Sequence, residues 1–267
     1  MMDPAMTVAL LGFPWDASSS YARGAALAPA VVRAVLFSEA SSPYSISGSD
    51  AREIIKAYDF AELPGNPADA RAAIAARITS SLAEGRKPLS LGGDHSVTYP
   101  ILKALKEKHG FLNILHIDAH TDLYQEYEGD PYSHASPFAR AIEDGCVGAL
   151  VQVGLRSVTP SCRAFGEKHG VVMLGADEIE AIPYDRLGAP LYVSIDLDGL
   201  DPAFAPGVSH PEPGGLSTRE VLSILRKLGA APVGADVVEL NPEKDANLLT
   251  AHVAARLVKE LAAMMAA

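Results

Sequence analysis

The sequence predicts one α/β domain in which helices cover both faces of a mostly parallel sheet. Short apolar runs, uniform enough for strands buried on both faces, alternate along the chain with longer segments of helical periodicity. No internal repeat, low-complexity tract or linker divides the 267 residues. This pattern is typical of a three-layer α/β/α architecture, and it predicts a single domain over residues 1–267.

Eight runs have the composition of strands, because each is short, mostly apolar and bounded by polar, Gly or Pro residues. The first ends at Pro14, and the fourth contains Ile114, Leu115 and Ile117, which would be buried on both faces of a sheet. In chain order the predicted strands are residues 7–13, 54–60, 88–91, 112–117, 149–154, 171–174, 191–195 and 233–240.

Seven segments between these strands are predicted as helices. Gly85 and Gly110 end two of them, and Ser217 with Glu220 three residues later fits a capping box at the start of another. The predicted helices are residues 29–36, 67–84, 97–108, 137–143, 161–169, 217–228 and 247–265. The Ser-, Gly- and Pro-rich residues 38–50 are predicted to form an exposed connection.

The composition excludes several classes of partner. A formal net charge of −11 repels nucleic acid and anionic membranes and favours cationic ligands. No apolar run is long enough to span a bilayer, and Met1 to Pro4 lacks the basic segment of a signal peptide. Cys146 and Cys162 are too few for a disulfide framework and too isolated for a zinc cluster, so we expect small apolar residues in a reducing cytoplasm.

Three side chains of the metal-ligand type follow the predicted strand 112–117 at every second position, namely Asp118, His120 and Asp122. If the extended backbone continues past the strand, all three point to the same side. Two carboxylates and an imidazole are costly to bury together unless a positive charge lies among them. This segment therefore predicts a divalent metal site.

Two other strand ends carry similar side chains. His95 follows strand 88–91, and Asp196 and Asp198 follow strand 191–195. Functional sites in such sheets form at the carboxyl ends of the strands, so we expect the three segments to converge on one edge. Four carboxylates and two imidazoles at one edge suit two hard-to-borderline ions with bridging carboxylates, and this mixed ligation favours Mn²⁺.

Each motif alone has a simpler explanation. Asp94 or Ser96 would cap the helix that follows, His95 would be a satisfied turn residue, and Asp198-Gly199 would mark an ordinary turn. These explanations do not account for the convergence of all three motifs. The absence of thiolates among the candidate ligands also weakens the case for a structural zinc.

Together these segments resemble the signatures of the ureohydrolase family, which includes arginase, agmatinase, guanidinobutyrase and formimidoylglutamase. The matching segments are Gly92-Gly93-Asp94-His95-Ser96, Asp118-Ala119-His120-Thr121-Asp122, Ser194-Ile195-Asp196-Leu197-Asp198-Gly199-Leu200-Asp201-Pro202, Pro213-Gly214-Gly215-Leu216 and Asp236-Val237-Val238-Glu239-Leu240-Asn241-Pro242. The resemblance runs through nearly the whole chain and implies an arginase-like fold.

The resemblance also implies a ligand set and a reaction. One Mn²⁺ would take His95 and Asp122, the other His120 and Asp198, with Asp118 and Asp196 as bridges. A metal-bridging hydroxide would hydrolyse a guanidino compound to urea and an amine. Glu239 matches the glutamate that binds the guanidinium, and His134 matches the histidine that carries a proton to the leaving amine. Without the resemblance, Glu239 would be interpreted as a surface carboxylate and His134 as a solvent-facing histidine. We interpret the remaining histidines as structural or surface residues.

The predicted substrate is a small cationic guanidino compound similar to agmatine. The loop of residues 126–133, at the position that reads the substrate's tail in the family, is acidic and contains no Arg or Lys that could pair with a carboxylate. Ala135 and Ser136 depart from the agmatinase pattern, which has Gly and Thr there. Arg156 could meet an acidic tail, which keeps formimidoylglutamase, guanidinobutyrase and arginase activities open.

Two other classes of protein remain as alternative interpretations. Deacetylases of related fold use a single zinc, whereas His95 and Asp122 here favour a binuclear site. A non-catalytic partner subunit is the other alternative, although every ligand position is filled.

Members of the family form trimers or hexamers, and the last predicted helix has more apolar residues than one buried face needs. We therefore expect a homotrimer or homohexamer.

Overall fold

A computed structural model describes residues 7–60 and 62–267 of the chain. The N-terminal residues Met1 to Pro4, for which we expected no signal peptide, lie outside this described part. None of the helices in these two ranges is long and apolar enough to cross a membrane.

An eight-stranded sheet forms the middle layer, and every pairing between neighbouring strands is parallel. The strands are β1 (Val8–Gly12), β2 (Ile55–Ala57), β3 (Lys87–Leu91), β4 (Leu112–Ile117), β5 (Val147–Leu155), β6 (Val172–Gly175), β7 (Leu191–Asp196) and β8 (Pro232–Val238). Their order across the sheet is β2-β1-β3-β8-β7-β4-β5-β6. The central strands are buried along almost their whole length, as a sheet covered on both faces requires.

Helices cover both faces of this sheet. They are α1 (Ala28–Leu36), α2 (Ala51–Ile54), α3 (Pro67–Ala83), α4 (Thr98–His109), α5 (Pro137–Glu143), α6 (Pro160–Lys168), α7 (Thr218–Arg226) and α8 (Leu249–Ala266). One hydrophobic core joins α1, α2, α7 and α8 to one face, and a second core joins α3, α4, α5 and α6 to the other. The predicted three-layer α/β/α architecture is confirmed.

The predicted elements and the observed ones agree except near their ends. All eight strands are present, but the second is shorter than residues 54–60, and the four-residue helix α2 precedes it. A single helical turn is too short to show apolar periodicity, so the sequence pattern did not reveal α2. The capping box at Ser217 and Glu220 is present at the start of α7.

The C-terminal helix α8 corrects one expectation, that its apolar side chains are too many for burial within one chain. Its apolar side chains, among them Leu257 and Leu261, are buried within this chain. Residues 38–50 form the predicted exposed connection, and it is anchored on α8: Lys259 donates to the Ser42 carbonyl at 2.6 Å, and Glu260 accepts from the Ile46 amide at 2.9 Å. The apolar content of α8 is therefore explained by burial within one chain and is no evidence for subunit contacts.

Candidate functional site

The candidate site lies at the carboxyl ends of four strands that are neighbours in the sheet, β3, β8, β7 and β4. His95 follows β3, Glu239 follows β8, Asp198 follows β7, and Asp118 follows β4. Chain segments far apart in sequence therefore meet at one edge, as their strand-end positions predicted.

His95 forms the first half of the polar cluster. Its Nδ1 lies 3.0 Å from Asp122 Oδ2, 3.2 Å from Asp196 Oδ2 and 3.4 Å from Asp118 Oδ2. This nitrogen is buried and has no hydrogen-bond partner within the described residues. A buried imidazole nitrogen without a partner, surrounded by three carboxylate oxygens, is the arrangement expected of a metal ligand.

His120 forms the second half. Its Nδ1 lies 3.1 Å from Asp198 Oδ2 and 3.4 Å from Asp118 Oδ1. Asp118 thus directs one carboxylate oxygen to each half of the cluster, which is the geometry of a bridging ligand. Asp118, His120 and Asp198 also form one of the groups whose ligand atoms lie within 4.8 Å of one another.

The charges in this cluster perturb one another strongly. Burial, with repulsion from Asp198 and Asp118, holds the pKa of Asp196 well above its ordinary value. Burial and the negative charge of Asp118 raise the pKa of Asp198 to about 7. Burial lowers the pKa of His120, but Asp198 and Asp118 outweigh it and raise that pKa to about 12. The carboxylates therefore require positive charge, which protons on the imidazoles supply when no metal is bound.

These residues fit two divalent ions. They offer two imidazole nitrogens and the oxygens of four carboxylates, and their side chains are buried except for that of His120, which is 28% exposed. Carboxylate oxygen with imidazole nitrogen suits Mn²⁺ better than a thiolate-selecting ion. The six predicted ligand residues are thus brought together at one place.

Loop geometry, and not strand alternation, produces the convergence after β4. The strand ends at Ile117, and Asp122 has a left-handed φ of 51°, so the backbone is not extended through the motif. Gly199 permits the β7 loop to approach, because a Cβ there would lie 2.8 Å from the Asp118 amide nitrogen. Glu239 also has a left-handed φ, 66°. Such strained backbone at non-glycine residues is characteristic of functional sites.

A buried polar chain, which sequence patterns did not reveal, orients His95. The His95 Nε2 lies 2.9 Å from Ser194 Oγ, and Ser194 Oγ donates to Asp236 Oδ1 at 2.6 Å. Thr98 and Tyr192 donate to the other Asp236 oxygen. Because Asp236 holds the Ser194 proton, Ser194 accepts from Nε2, and Nδ1 is the nitrogen that faces the carboxylates and would bind a metal.

His116, interpreted from sequence as structural or surface, is fully buried and supports Asp118. Its Nε2 lies 2.7 Å from Asp118 Oδ2, and Gln152 Nε2 lies 2.9 Å from its Nδ1. A Gln152 amide that donates to Nδ1 leaves Nε2–H to donate to the carboxylate. The position of His116 in β4 was the one sequence signal for this role, since it places a polar side chain in an otherwise apolar part of the strand.

Glu239 and His134 lie together beside the cluster. The His134 Nδ1 is 3.4 Å from Glu239 Oε1, and that oxygen also accepts from the His95 amide at 2.8 Å. Burial lowers the pKa of His134, but Glu239 outweighs it and raises that pKa to about 9. The same ion pair overcomes burial and keeps the pKa of Glu239 below its ordinary value. At neutral pH the pair is therefore an imidazolium and a carboxylate.

The N-terminal loop after β1 holds His134 in place. Ser20 Oγ lies 2.8 Å from His134 Nε2, and the His134 amide donates to the Ser18 carbonyl at 3.3 Å. The Ser18 amide in turn donates to Asp94 Oδ2 at 2.9 Å. Asp94 thus connects this loop to the segment of His95, while its other carboxylate oxygen caps the turn at Ser96, as the sequence predicted.

A cavity of about 210 Å³ opens above the cluster. Its walls comprise the metal-type ligands His120, Asp122, Asp196 and Asp198, the pair His134 and Glu239, and Ser20, Thr121, Tyr124, Tyr127, Ala135, Ser157, Thr159, Cys162 and His210. The imidazole of His210, interpreted from sequence as structural or surface, stacks on that of His134 with ring centroids 5.2 Å apart.

Two features expected to read the substrate's tail do not line this cavity. The acidic residues Glu126, Glu128 and Asp130 are exposed on the surface. Arg156 is also absent from the cavity walls, and its guanidinium donates to main-chain carbonyls.

Comparison with known proteins gives a consistent result. The family model described as the arginase family matches residues 6–264. A mitochondrial arginase of Medicago truncatula is 42% identical to this chain over 98% of this chain and 82% of that protein. A guanidinopropionase of Pseudomonas aeruginosa is 39% identical over 99% of this chain and 88% of that protein. The solved structure of an arginase from Medicago truncatula superimposes with a TM-score of 0.92, at 40% identity over 98% of this chain and 88% of that one.

Proposed function

This chain belongs to the arginase family of hydrolases, and we propose that it releases urea from a small guanidino compound at a binuclear Mn²⁺ centre. The observation that carries the proposal is the buried arrangement of two imidazoles and four carboxylates around a shared Asp118. Two ions held there would lower the pKa of water enough to supply a nucleophile at neutral pH.

The chain's own residues would bind and orient the substrate. A guanidinium is always positively charged at neutral pH and forms paired hydrogen bonds with a carboxylate. Glu239 is the carboxylate of the cavity wall that lies next to His134 and apart from the six predicted ligands. It would hold the guanidinium over the metal cluster.

His134 would then donate a proton to the departing amine. It lines the same cavity, and its raised pKa keeps a proton on the imidazole at neutral pH. Donating this proton to the leaving nitrogen avoids the expulsion of an amide anion. Ser20 and His210 contact different parts of the imidazole and limit its rotation.

The proposal predicts metal dependence. The purified protein should hold close to two divalent ions per chain, and removal of these ions by a chelator should abolish urea release. Four carboxylates converge there, and within residues 7–60 and 62–267 their ion-pair partners are histidines, with no Lys or Arg. Elemental analysis and a urea assay with added Mn²⁺ measure both quantities. One tightly bound zinc, with activity indifferent to Mn²⁺, would contradict the binuclear centre and favour the single-zinc alternative.

L-Arginine is the substrate that we propose first. The relatives named above act on arginine and guanidinopropionate, which both carry a carboxylate, and the cavity offers hydroxyl groups from Ser20, Tyr127, Ser157 and Thr159 to such a tail. Hydrogen bonds to a charged group contribute about 1.5–3 kcal/mol each. Agmatine, the substrate type favoured by the acidic loop, is supported by the surface charge of Glu126, Glu128 and Asp130 and by the net charge of −11.

We therefore expect kcat/KM for arginine to exceed that for agmatine by about tenfold or more, since about 1.4 kcal/mol corresponds to a factor of ten. Urea release measured over a panel of guanidino and formimino compounds tests this preference. A preference for agmatine that narrows as salt is added would show instead that the exposed acidic residues select the substrate. That outcome would change the substrate and leave the reaction class unchanged.

We propose that the protein is a homo-oligomer of three or six chains in the cytoplasm. Support for association comes from the family and from exposed apolar side chains outside α8, including Leu27, Phe37 and Leu248. The molar mass from light scattering should be three or six times 28.0 kDa. A stable monomer at micromolar concentration would contradict this proposal.

A further inference from the structure

Arg156, which follows β5, makes an unusual set of contacts. Its guanidinium is partly buried, and its donors reach only main-chain carbonyls among the described partners. Nη2 donates to Asp198 at 2.6 Å, to Glu212 at 2.7 Å and to Leu200 at 3.3 Å. Nη1 donates to Gly154 at 2.6 Å and to Gly199 at 3.2 Å, and Nε donates to Glu212 at 3.0 Å. One side chain therefore ties β5 to the loop after β7 and to the loop at residue 212.

The main chain of Arg156 extends this connection to the loop after β4. Its amide donates to the Ala119 carbonyl at 2.9 Å. Ala119 lies between Asp118 and His120, and its own amide donates to Asp198 Oδ1 at 3.2 Å. Arg156 is thus bonded to both loops that supply Asp118, His120 and Asp198, the three residues grouped as one potential metal site.

No comparable link joins the Arg156 side chain to the other half of the centre. The described contacts of His95 are with Ser194, the carboxylates and aromatic rings, and Asp122 is reached through His95. Different side chains therefore support the two halves of the centre, and the halves meet at Asp118 and at Asp196, whose Oδ1 accepts from the Asp198 amide at 2.8 Å. The Asp236 network supports His95, and the Arg156 network supports Asp198.

From this asymmetry we propose that Arg156 is a positioning residue that selectively sets the affinity of the ion held by His120 and Asp198. The inference rests on the proposed binuclear centre. Only a planar, forked cation can serve carbonyls in three segments at once, whereas a lysine ammonium has three donors at a single point. Loss of the Arg156 guanidinium should release the main chain of Asp198 and leave His95 and Asp122 in place.

The test compares the holoprotein with Arg156→Lys and Arg156→Met. Loss of a group that orients a metal ligand typically weakens binding by about 10–100-fold. We expect the dissociation constant of the ion held by His120 and Asp198 to rise by that factor, while that of the ion held by His95 and Asp122 changes less than about twofold. Electron paramagnetic resonance should change from the spectrum of a coupled Mn²⁺ pair to that of an isolated ion. Anomalous diffraction should place the remaining ion beside His95.

Arg163→Lys is the matched control, because Arg163 is exposed on α6 and is seven residues away in the chain. Circular dichroism verifies that each variant is folded. Arg156→Lys keeps the charge and approximate length of the side chain, so it disturbs the structure less than Arg156→Met does. If the binding of both ions were weakened equally, or if neither folded variant showed weaker binding, the inference would be overturned and the proposed function would stand. A wild-type protein that binds only one ion would overturn the binuclear proposal itself and this inference with it.

Discussion

Asp118→Asn is expected to remove most of the activity and at least one of the two ions. The Asp118 carboxylate lies 3.4 Å from the imidazole nitrogens of both His95 and His120, so it is placed to serve both ions. A neutral amide keeps the volume but cannot bridge two cations. Because an activating metal contributes several kcal/mol to the transition state, we expect urea release to fall by about 10³-fold or more.

The same substitution should change the metal content measured by elemental analysis from two ions per chain to one or none. The contact with His116 should make the loss of metal greater. The His116 Nε2–H donates to Asp118 Oδ2, and in the variant it would face an amide. Asp185→Asn, at an exposed position, is the control for the chemical change. Retention of two ions with full activity would show that Asp118 is not a bridging ligand.

His134→Ala is expected to lower kcat by about 10²–10⁴-fold, the usual contribution of a proton-transfer residue, while both ions remain bound. The imidazole lies 3.4 Å from Glu239 and lines the cavity, and it has no contact with the six predicted metal ligands among the described ion pairs and hydrogen bonds. Loss of rate with full metal content separates a proton donor from a metal ligand. His252→Ala, an exposed histidine on α8, is the control.

The pH dependence gives a second test of His134. Its pKa is raised to about 9, so the proton is present at neutral pH and is lost as the pH rises through about 9. The rate of the wild-type protein should therefore decline on the alkaline side. Glu239→Gln removes the charge that raises this pKa and should move the decline to lower pH. An unchanged rate in His134→Ala would show that another group donates the proton.

The sequence by itself determined the fold class and predicted which residues converge at one edge of the sheet. Uniformly apolar runs identify strands buried on both faces, and such strands require a parallel sheet covered by helices. A parallel sheet places all its carboxyl ends on the same edge. For this reason, the order of residues along the chain was enough to predict that His95, Asp118 and Asp198, although far apart in sequence, belong to one site.

Only the tertiary structure decided which side chains reach the cavity and which support it from behind. The acidic side chains of Glu126, Glu128 and Asp130 and the side chain of Arg156 are close in sequence to site residues. Loop conformation turns the acidic side chains to solvent and the Arg156 guanidinium toward carbonyls. His210 and Asp236 become informative only through contacts with His134 and Ser194. Side-chain direction in irregular segments depends on individual φ values, such as the 51° at Asp122, and these are set by long-range packing that no local pattern encodes.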